Sequence, residues 1–280
     1  MRAGSGAGRG SGGPAVARAR VRAPWDGHLL LLHDGDDERL AATSAWVRRG
    51  LELGEQIVHV DGDEGTALLA ALRRQGLDTA VATASGRLLA VGPERLADAR
   101  ERRRVAEEAL AAGYPRVRLE VPRTTDQSPV DLAFGELDLQ DLCRSGRVSV
   151  LCRRERSRAH GDQLRQAVAA HADGVRTRIL TCRRIPGGLE LAGEVDLSVT
   201  DLLAAALQEV TNETPGLVWV DVGELRFLDV AGARVLAHAT RGFRGGGGKV
   251  VLLDARPPVR HVLHLMGADA LAGMELLGSP

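Results

Sequence analysis

His28, Glu55, His59 and His171 are polar side chains set against apolar runs of strand or helix length. In open α/β sheets, polar groups at strand ends face the crevice that binds ligands, which makes these four the candidate ligand-binding residues. The competing reading for each is structural, since a lone histidine beside an apolar run is more often a hydrogen-bonded core residue. His28 and His33, five positions apart across a strand and its end, lack a credible metal spacing. Cys143, Cys152 and Cys182 share no close C-x-x-C spacing and read as buried reduced thiols rather than zinc ligands or a disulfide. Neither a metal site nor a cofactor is expected.

A second candidate lies in GELRFLDVAGARVLAHATRG, residues 223–242, where an apolar strand runs into an amphipathic helix through Asp229. Such junctions expose backbone N–H groups, and an Asp placed there caps the helix by accepting from them. The next residues, Val230, Ala231 and Gly232, carry no hydroxyl, thiol or charge. The junction reads either as a plain helix cap or as a docking surface for a partner. Glu194 and Asp196 resemble an acid/base pair, but their place after a strand and before a helix start marks them as solvated turn residues.

The elements that position these residues alternate. HLLLLH, QIVHV, RVRLEV (116–121) and RVSVLC (147–152) have strand length. DDERLAATSAWVRRGLELG puts Leu40, Ser44, Val47 and Leu51 on one helical face with Gly54 as its stop. EGTALLAALRRQG is a helix, and HGDQLRQAVAAHADG another, with Leu164, Val168 and His171 on one face. TAVATASGRLLAVG gives two short extended pieces around Ser85-Gly86, one helix runs from Pro93 to Gly113, and 129–144 is ambiguous with helical character. This order implies an α/β fold with a mainly parallel sheet covered on both faces. From about Arg176 a hairpin turns at Pro186-Gly187-Gly188. Ser198, three before Asp201, then opens a helix carrying Leu202, Leu203, Ala206, Leu207 and Val210. The order β-β-α-β-α-β-α-β makes this a small second α/β unit. The expected division is a Gly-, Ser- and Arg-rich disordered tail (1–22), an N-terminal domain (23–175) and a C-terminal domain (176–280).

Composition excludes several classes. The 37 basic and 37 acidic residues cancel, leaving no global field to gather nucleic acid or an anionic membrane. RERRR (100–104) and RRERSR (153–158) contain glutamate and read as solvated helix faces. No window reaches the roughly 18 apolar residues of a spanning helix. The N-terminus lacks an apolar signal core, so a cytoplasmic location is expected. No G-x-S-x-G, H-E-x-x-H or G-K-[ST] motif occurs, and the chain is not expected to be an enzyme.

LAGEVDLSVTDLLAAAL, GLVWVDVGELRFLDVAGARVL and GGKVVLLDARPPVRHVLHLMGAD, spread over about 177–280, resemble the STAS domain of bacterial anti-anti-sigma factors. GEVD at 193–196 and FLDVAG at 227–232 are the most specific pieces. The resemblance implies a partner that is both anti-sigma factor and serine kinase, of the histidine-kinase-like ATPase type, docking at Asp229, Val230, Ala231 and Gly232. In that family the residue after the Asp is commonly a serine that the partner phosphorylates. Val230 stands at that position and Ala231 at the next, so this switch is missing.

Residues 24–175 resemble the MEDS sensory domain, through LLLLH after His28, GLELGEQIVHV (50–60), ASGRLL (84–89), ALAAGYPRVRLEVPRT (109–124) and VSVLCRRERSRAHGDQLRQAVAAHADG (148–174). That resemblance implies sensing of a small molecule on a layered, ATPase-like sheet without its phosphate loop. The acidic Asp34-Gly35-Asp36-Asp37 after the first strand agrees, since a phosphate cradle needs N–H groups and lysine. The expected protein is a signal-transduction regulator, a sensory domain coupled to an anti-anti-sigma-like module that modulates sigma-dependent transcription. Two alternatives stand beside it. One is a small-molecule-binding protein or enzyme using the N-terminal crevice, with the STAS unit as scaffold or dimerisation module. The other is a degenerate, permanently active competitor.

Overall fold

A computed structural model describes residues 26–121 and 129–278; the expected disordered tail lies outside the described residues. In chain order, β1 (His28–His33) leads to α1 (Asp36–Glu52), β2 (Gln56–Val60), α2 (Asp63–Arg74), α3 (Thr79–Ala84) and β3 (Leu88–Val91). Then come α4 (Pro93–Ala97), α5 (Ala99–Ala111), β4 (Val117–Val121), α6 (Pro129–Cys143), β5 (Val148–Glu155), α7 (Gly161–Ala170) and β6 (Gly174–Arg176). The remainder is β7 (Leu180–Ile185), β8 (Gly188–Val195), α8 (Thr200–Glu213), β9 (Leu217–Leu228), α9 (Val230–Ala239), α10 (Arg241–Gly245), β10 (Lys249–Leu253), α11 (Pro257–Leu265) and β11 (Met274–Leu277).

Among the described residues, all eleven strands hydrogen-bond into one sheet, in the order β11-β10-β9-β8-β7-β6-β1-β5-β4-β2-β3. Pairing is parallel except at β6–β7 and β7–β8, where the chain turns back at Pro186-Gly187-Gly188 as its turn residues dictate. The α/β, mainly parallel architecture expected from the alternation is present. The sheet and its larger apolar core run without a break from Leu30 and Val150 through Val175 and Leu180 to Leu203, Val220 and Val250. A smaller core on the other face of the N-terminal strands packs Leu29, Leu31 and Ile57 against Trp46, Val47 and Leu51 of α1.

Several local expectations are corrected. TAVATA is helix α3, not an extended piece, because Asp78 accepts from Val81 N and starts a turn. The helix expected from Pro93 to Gly113 is two, broken at Asp98, whose extended backbone ends α4 while its carboxylate caps α5. Ser198 does not cap α8, whose N-cap is Val199 with no side-chain hydrogen bond; Asp196 instead caps the 3-10 turn 197–199 that leads into it, its Oδ1 accepting from Ser198 N. His171 terminates α7 rather than lying within it. The two basic runs are not wholly solvated helix faces. Arg102 is buried, donating to the carbonyls of Leu96 and Ala97 and to Asp138, and Arg153 is a buried residue of strand β5.

Candidate functional site

The C-terminal junction is built where β8 and β9 end side by side, with Glu194 opposite Phe227 and Val195 opposite Leu228. Gly193 adopts φ +102 at an irregularity in this pairing, and a Cβ there would strike the Ile179 carbonyl, so GEVD requires its glycine for backbone reasons. Val195 and Leu228 are buried, and Asp229 N donates to Val195 O at 3.0 Å. Asp229 caps α9, its Oδ1 accepting from Gly232 N at 2.7 Å. Gly232 seats the helix on the sheet: an added Cβ would collide with Val195 and stand 2.7 Å from Leu228 Cδ1. GEVD and FLDVAG therefore meet and brace each other.

The cap also sets what faces outward. Val230, the first residue of α9, is 55% exposed, Phe227 49% and Leu197 73%. Three exposed apolar side chains thus stand at the same ends of β8 and β9; elsewhere in this half Leu217, Leu265, Met266 and Leu277 are exposed too, at other places in the sequence. Exposed apolar groups gathered at one edge are the usual mark of a protein-binding surface.

The N-terminal half places the four ligand candidates in three environments. Glu55 is buried, and its carboxylate accepts from Arg118 Nε, with Arg116 Nε at 3.8 Å. Arg118 Nη2 donates to Asp26 Oδ1 at 2.9 Å, Arg116 Nη1 donates to Asp26 Oδ2 at 2.7 Å, and the Arg118 guanidinium lies 5.2 Å from the Trp46 ring centre. Gly50 in the last turn of α1 makes room for this arginine, since a Cβ there would meet Arg118 Cδ at 2.6 Å. His59 is buried apart from the others, its Nδ1 3.0 Å from the Val60 carbonyl.

His28 and His171, by contrast, are brought together, with ring centres 4.1 Å apart. Their Nε2 atoms stand 3.2 and 3.4 Å from Glu136 Oε2, and His28 Nε2 is 3.5 Å from Cys152 Sγ. In the sequence the two histidines stand as separate candidates and Cys152 as a core thiol, and nothing there singles out Glu136. The missing signal is topological: β1 lies between β5 and β6, which no local spacing reveals.

A further polar network sits at the C-terminal ends of β1, β4 and β5. Arg153 Nη2 donates to Glu64 at 2.7 Å, and its Nε lies 3.2 Å from Glu120. Burial opposes the Arg153 charge, but Glu120 and Glu64 outweigh it and raise its pKa. Burial, with Arg39 and Arg153 close by, pushes the His33 imidazole below its ordinary range. Burial alone sends the Cys182 thiol up to about 12, leaving it an inert core group.

The halves are mechanically joined. β6 pairs with both β1 and β7, and α7 packs on α8. Arg156, just past β5, donates to Ser198 O, with Asp34 Oδ1 at 3.6 Å and Asp201 Oδ1 at 3.4 Å, linking the end of β1 to the start of α8.

Residues 27–172 match the family MEDS, MEthanogen/methylotroph, DcmR Sensory domain, and residues 182–277 match STAS_2, Mlab, STAS domain. A sensory domain followed by a STAS domain is the arrangement of a signalling regulator. The chain belongs to the MEDS family, with the STAS domain carried behind its sensory domain. Among solved structures, the anti-sigma factor antagonist SpoIIAA in its unphosphorylated form is similar at 17% identity, covering 36% of this chain and 89% of that one, with a TM-score of 0.30. An anti-sigma factor antagonist from Mycobacterium paratuberculosis is similar at 21% identity, covering 34% and 83%, also with a TM-score of 0.30. No curated protein matches the chain. Among the described residues, no helix is long and apolar enough to cross a membrane.

Proposed function

We propose that the protein is a non-enzymatic, cytoplasmic regulator. Its MEDS half perceives a signal, and its STAS half docks, through Asp229 to Gly232, on an anti-sigma factor that is also a serine kinase, thereby modulating sigma-dependent transcription. The observation that carries this reading is the capped junction with Phe227, Val230 and Leu197 exposed around it. Val230 occupies the position where the STAS family commonly carries its phosphorylated serine. An aliphatic residue there keeps the surface permanently in its uncharged form. Control then passes to the sensory half, and the β6–β7 pairing and the Arg156 link support such a route.

Calorimetric titration of the full chain with the purified anti-sigma kinases of its host tests this. At least one should bind. Val230→Glu, which places charge where phosphate would sit, should weaken that binding at least about tenfold. With ATP present, wild type should take up no phosphate at 230–232, whereas Val230→Ser should. Failure of every kinase to bind would overturn the reading. The polar interior of the N-terminal half favours a second one, in which that half binds a small ligand and the STAS half serves as scaffold or dimerisation module. Thermal stabilisation by a metabolite without any protein partner would support it.

A further inference from the structure

His28 opens β1, Cys152 lies on the neighbouring strand β5, Glu136 projects from α6 and His171 closes α7. One ligand atom from each falls within 4.8 Å of all the others, and His28, Cys152 and His171 are buried while Glu136 is 12% exposed. Around a tetrahedral ion with bonds of about 2.0–2.3 Å, neighbouring ligand atoms stand about 3.3–3.6 Å apart. Three of the six separations already have close to that length, His28 Nε2 to Glu136 Oε2 at 3.2 Å, His171 Nε2 to Glu136 Oε2 at 3.4 Å and His28 Nε2 to Cys152 Sγ at 3.5 Å, so the group needs to draw in only along the others.

The protonation pattern is informative. His171 Nδ1 lies 2.7 Å from Ala167 O, and a carbonyl can only accept, so Nδ1 carries the proton. In the neutral ring, Nε2 then presents a lone pair towards the Glu136 carboxylate. Two acceptors facing each other in a buried site require a cation between them, either a proton or a metal ion. A carbonyl bond that fixes the tautomer is also the usual outer support of a ligating histidine.

We propose that His28, Glu136, Cys152 and His171 bind one divalent ion of the zinc class. A thiolate, a carboxylate and two neutral imidazoles balance the two positive charges, and a buried site tolerates only such a neutral total. The thiolate and imidazoles select zinc, cobalt or ferrous iron over magnesium or calcium. On binding, four bonds to the ion form, the ion sheds its waters, and two protons pass to solvent: that of the Cys152 thiol and that held between His171 Nε2 and Glu136. The site is also placed to be felt beyond itself. Gly174 N donates to His171 O at 3.1 Å, His28 N donates to Asp173 Oδ2 at 2.9 Å, and β6 follows directly and pairs with β7 of the STAS half. That the ion is the perceived signal rests on the sensory reading above; the site itself does not.

Chelator-treated full-length protein should be titrated with cobalt(II), followed by absorption spectroscopy, and the cobalt then displaced by zinc. Wild type should take up one equivalent, with tetrahedral d–d bands and a thiolate-to-cobalt charge-transfer band. Cys152→Ser should abolish the charge-transfer band, and His171→Gln should weaken binding at least about 100-fold, a loss at or beyond the top of the range for outer-shell partners. The double variant Cys143→Ser/Cys182→Ser should keep the band, which identifies Cys152 by elimination if Cys152→Ser does not fold. A folded wild type that takes up neither metal would overturn the proposal, and so would a band that survives Cys152→Ser. No partner protein enters the assay, so its failure leaves the docking reading intact, and failed docking leaves the metal site standing.

Discussion

From Thr177 to the end of β11 the interior holds Leu189, Leu191, Leu203, Leu207, Val218, Val220, Val250 and Leu252, and the buried polar side chains there among the described residues are Thr177 and Thr240. Between β1 and β6 the same sheet encloses Asp26, His28, Glu55, His59, Arg118, Glu120, Arg153 and His171. Burying charge is costly unless each group is paired, so the N-terminal half gives up hydrophobic stabilisation in order to carry interior chemistry. The STAS half makes no such sacrifice, and its distinctive residues, Leu197, Phe227 and Val230, are on its surface. One half keeps its distinctive polar groups inside, and the other sets its distinctive apolar residues at the surface. Substitutions should therefore separate cleanly: interior polar changes in the first half cost stability, while surface changes in the second alter binding with little effect on folding.

The largest effect is expected at Arg118. Arg118→Ala leaves the buried carboxylates of Asp26 and Glu55 with only Arg116 nearby. Removing one member of a buried ion pair costs about 3–5 kcal/mol, and the remaining arginine places this case near about 3. Urea unfolding of the full chain measures it. A loss below about 1 kcal/mol would mean that the N-terminal interior tolerates charge as easily as a surface does, and the two halves would not differ in this way.

The same contrast governs how much could be read from the sequence. Apolar periodicity located most elements and the mainly parallel sheet, because burial of Leu, Val and Ala follows directly from spacing. It failed where a single side chain overrides the pattern, as at Asp78 and Asp98, whose caps create helix starts that the apolar spacing does not mark. In β4, VRLEV alternates as though Arg118 and Glu120 faced water, but helices cover both faces and both residues are buried. The STAS junction was legible because its parts are contiguous: GEVD and FLDVAG are short segments that meet across one strand pair. The His28, Glu136, Cys152 and His171 group was not, because its members are spread over more than a hundred positions and only strand order unites them.

An intermediate effect is expected in the STAS half, at Gly232. Gly232→Ala forces a methyl group against Val195 and Leu228 and should destabilise by about 1–3 kcal/mol, read by thermal or urea unfolding. The strain falls where α9 meets the sheet, so kinase binding should weaken together with stability. Unchanged stability would mean that α9 can lift from the sheet at no cost, and the junction would not be the rigid surface described above.

The smallest effect, at Asp229, separates cap from contact. Asp229→Ala removes the acceptor for Gly232 N and should cost about 1 kcal/mol, as N-cap losses do. Asp229→Asn keeps an acceptor at the same place and gives up only the interaction of its charge with the helix N-terminus, worth no more than about 0.5 kcal/mol at this surface position. If Asp229 serves only to hold Val230 outward, Asn should bind the kinase as wild type does, and Ala should weaken binding only as far as it frays the first turn of α9. If Asn retains stability but loses binding, the Asp229 carboxylate itself meets a basic group on the partner. The docking surface would then be a mixed apolar and acidic one rather than the purely apolar patch of Leu197, Phe227 and Val230.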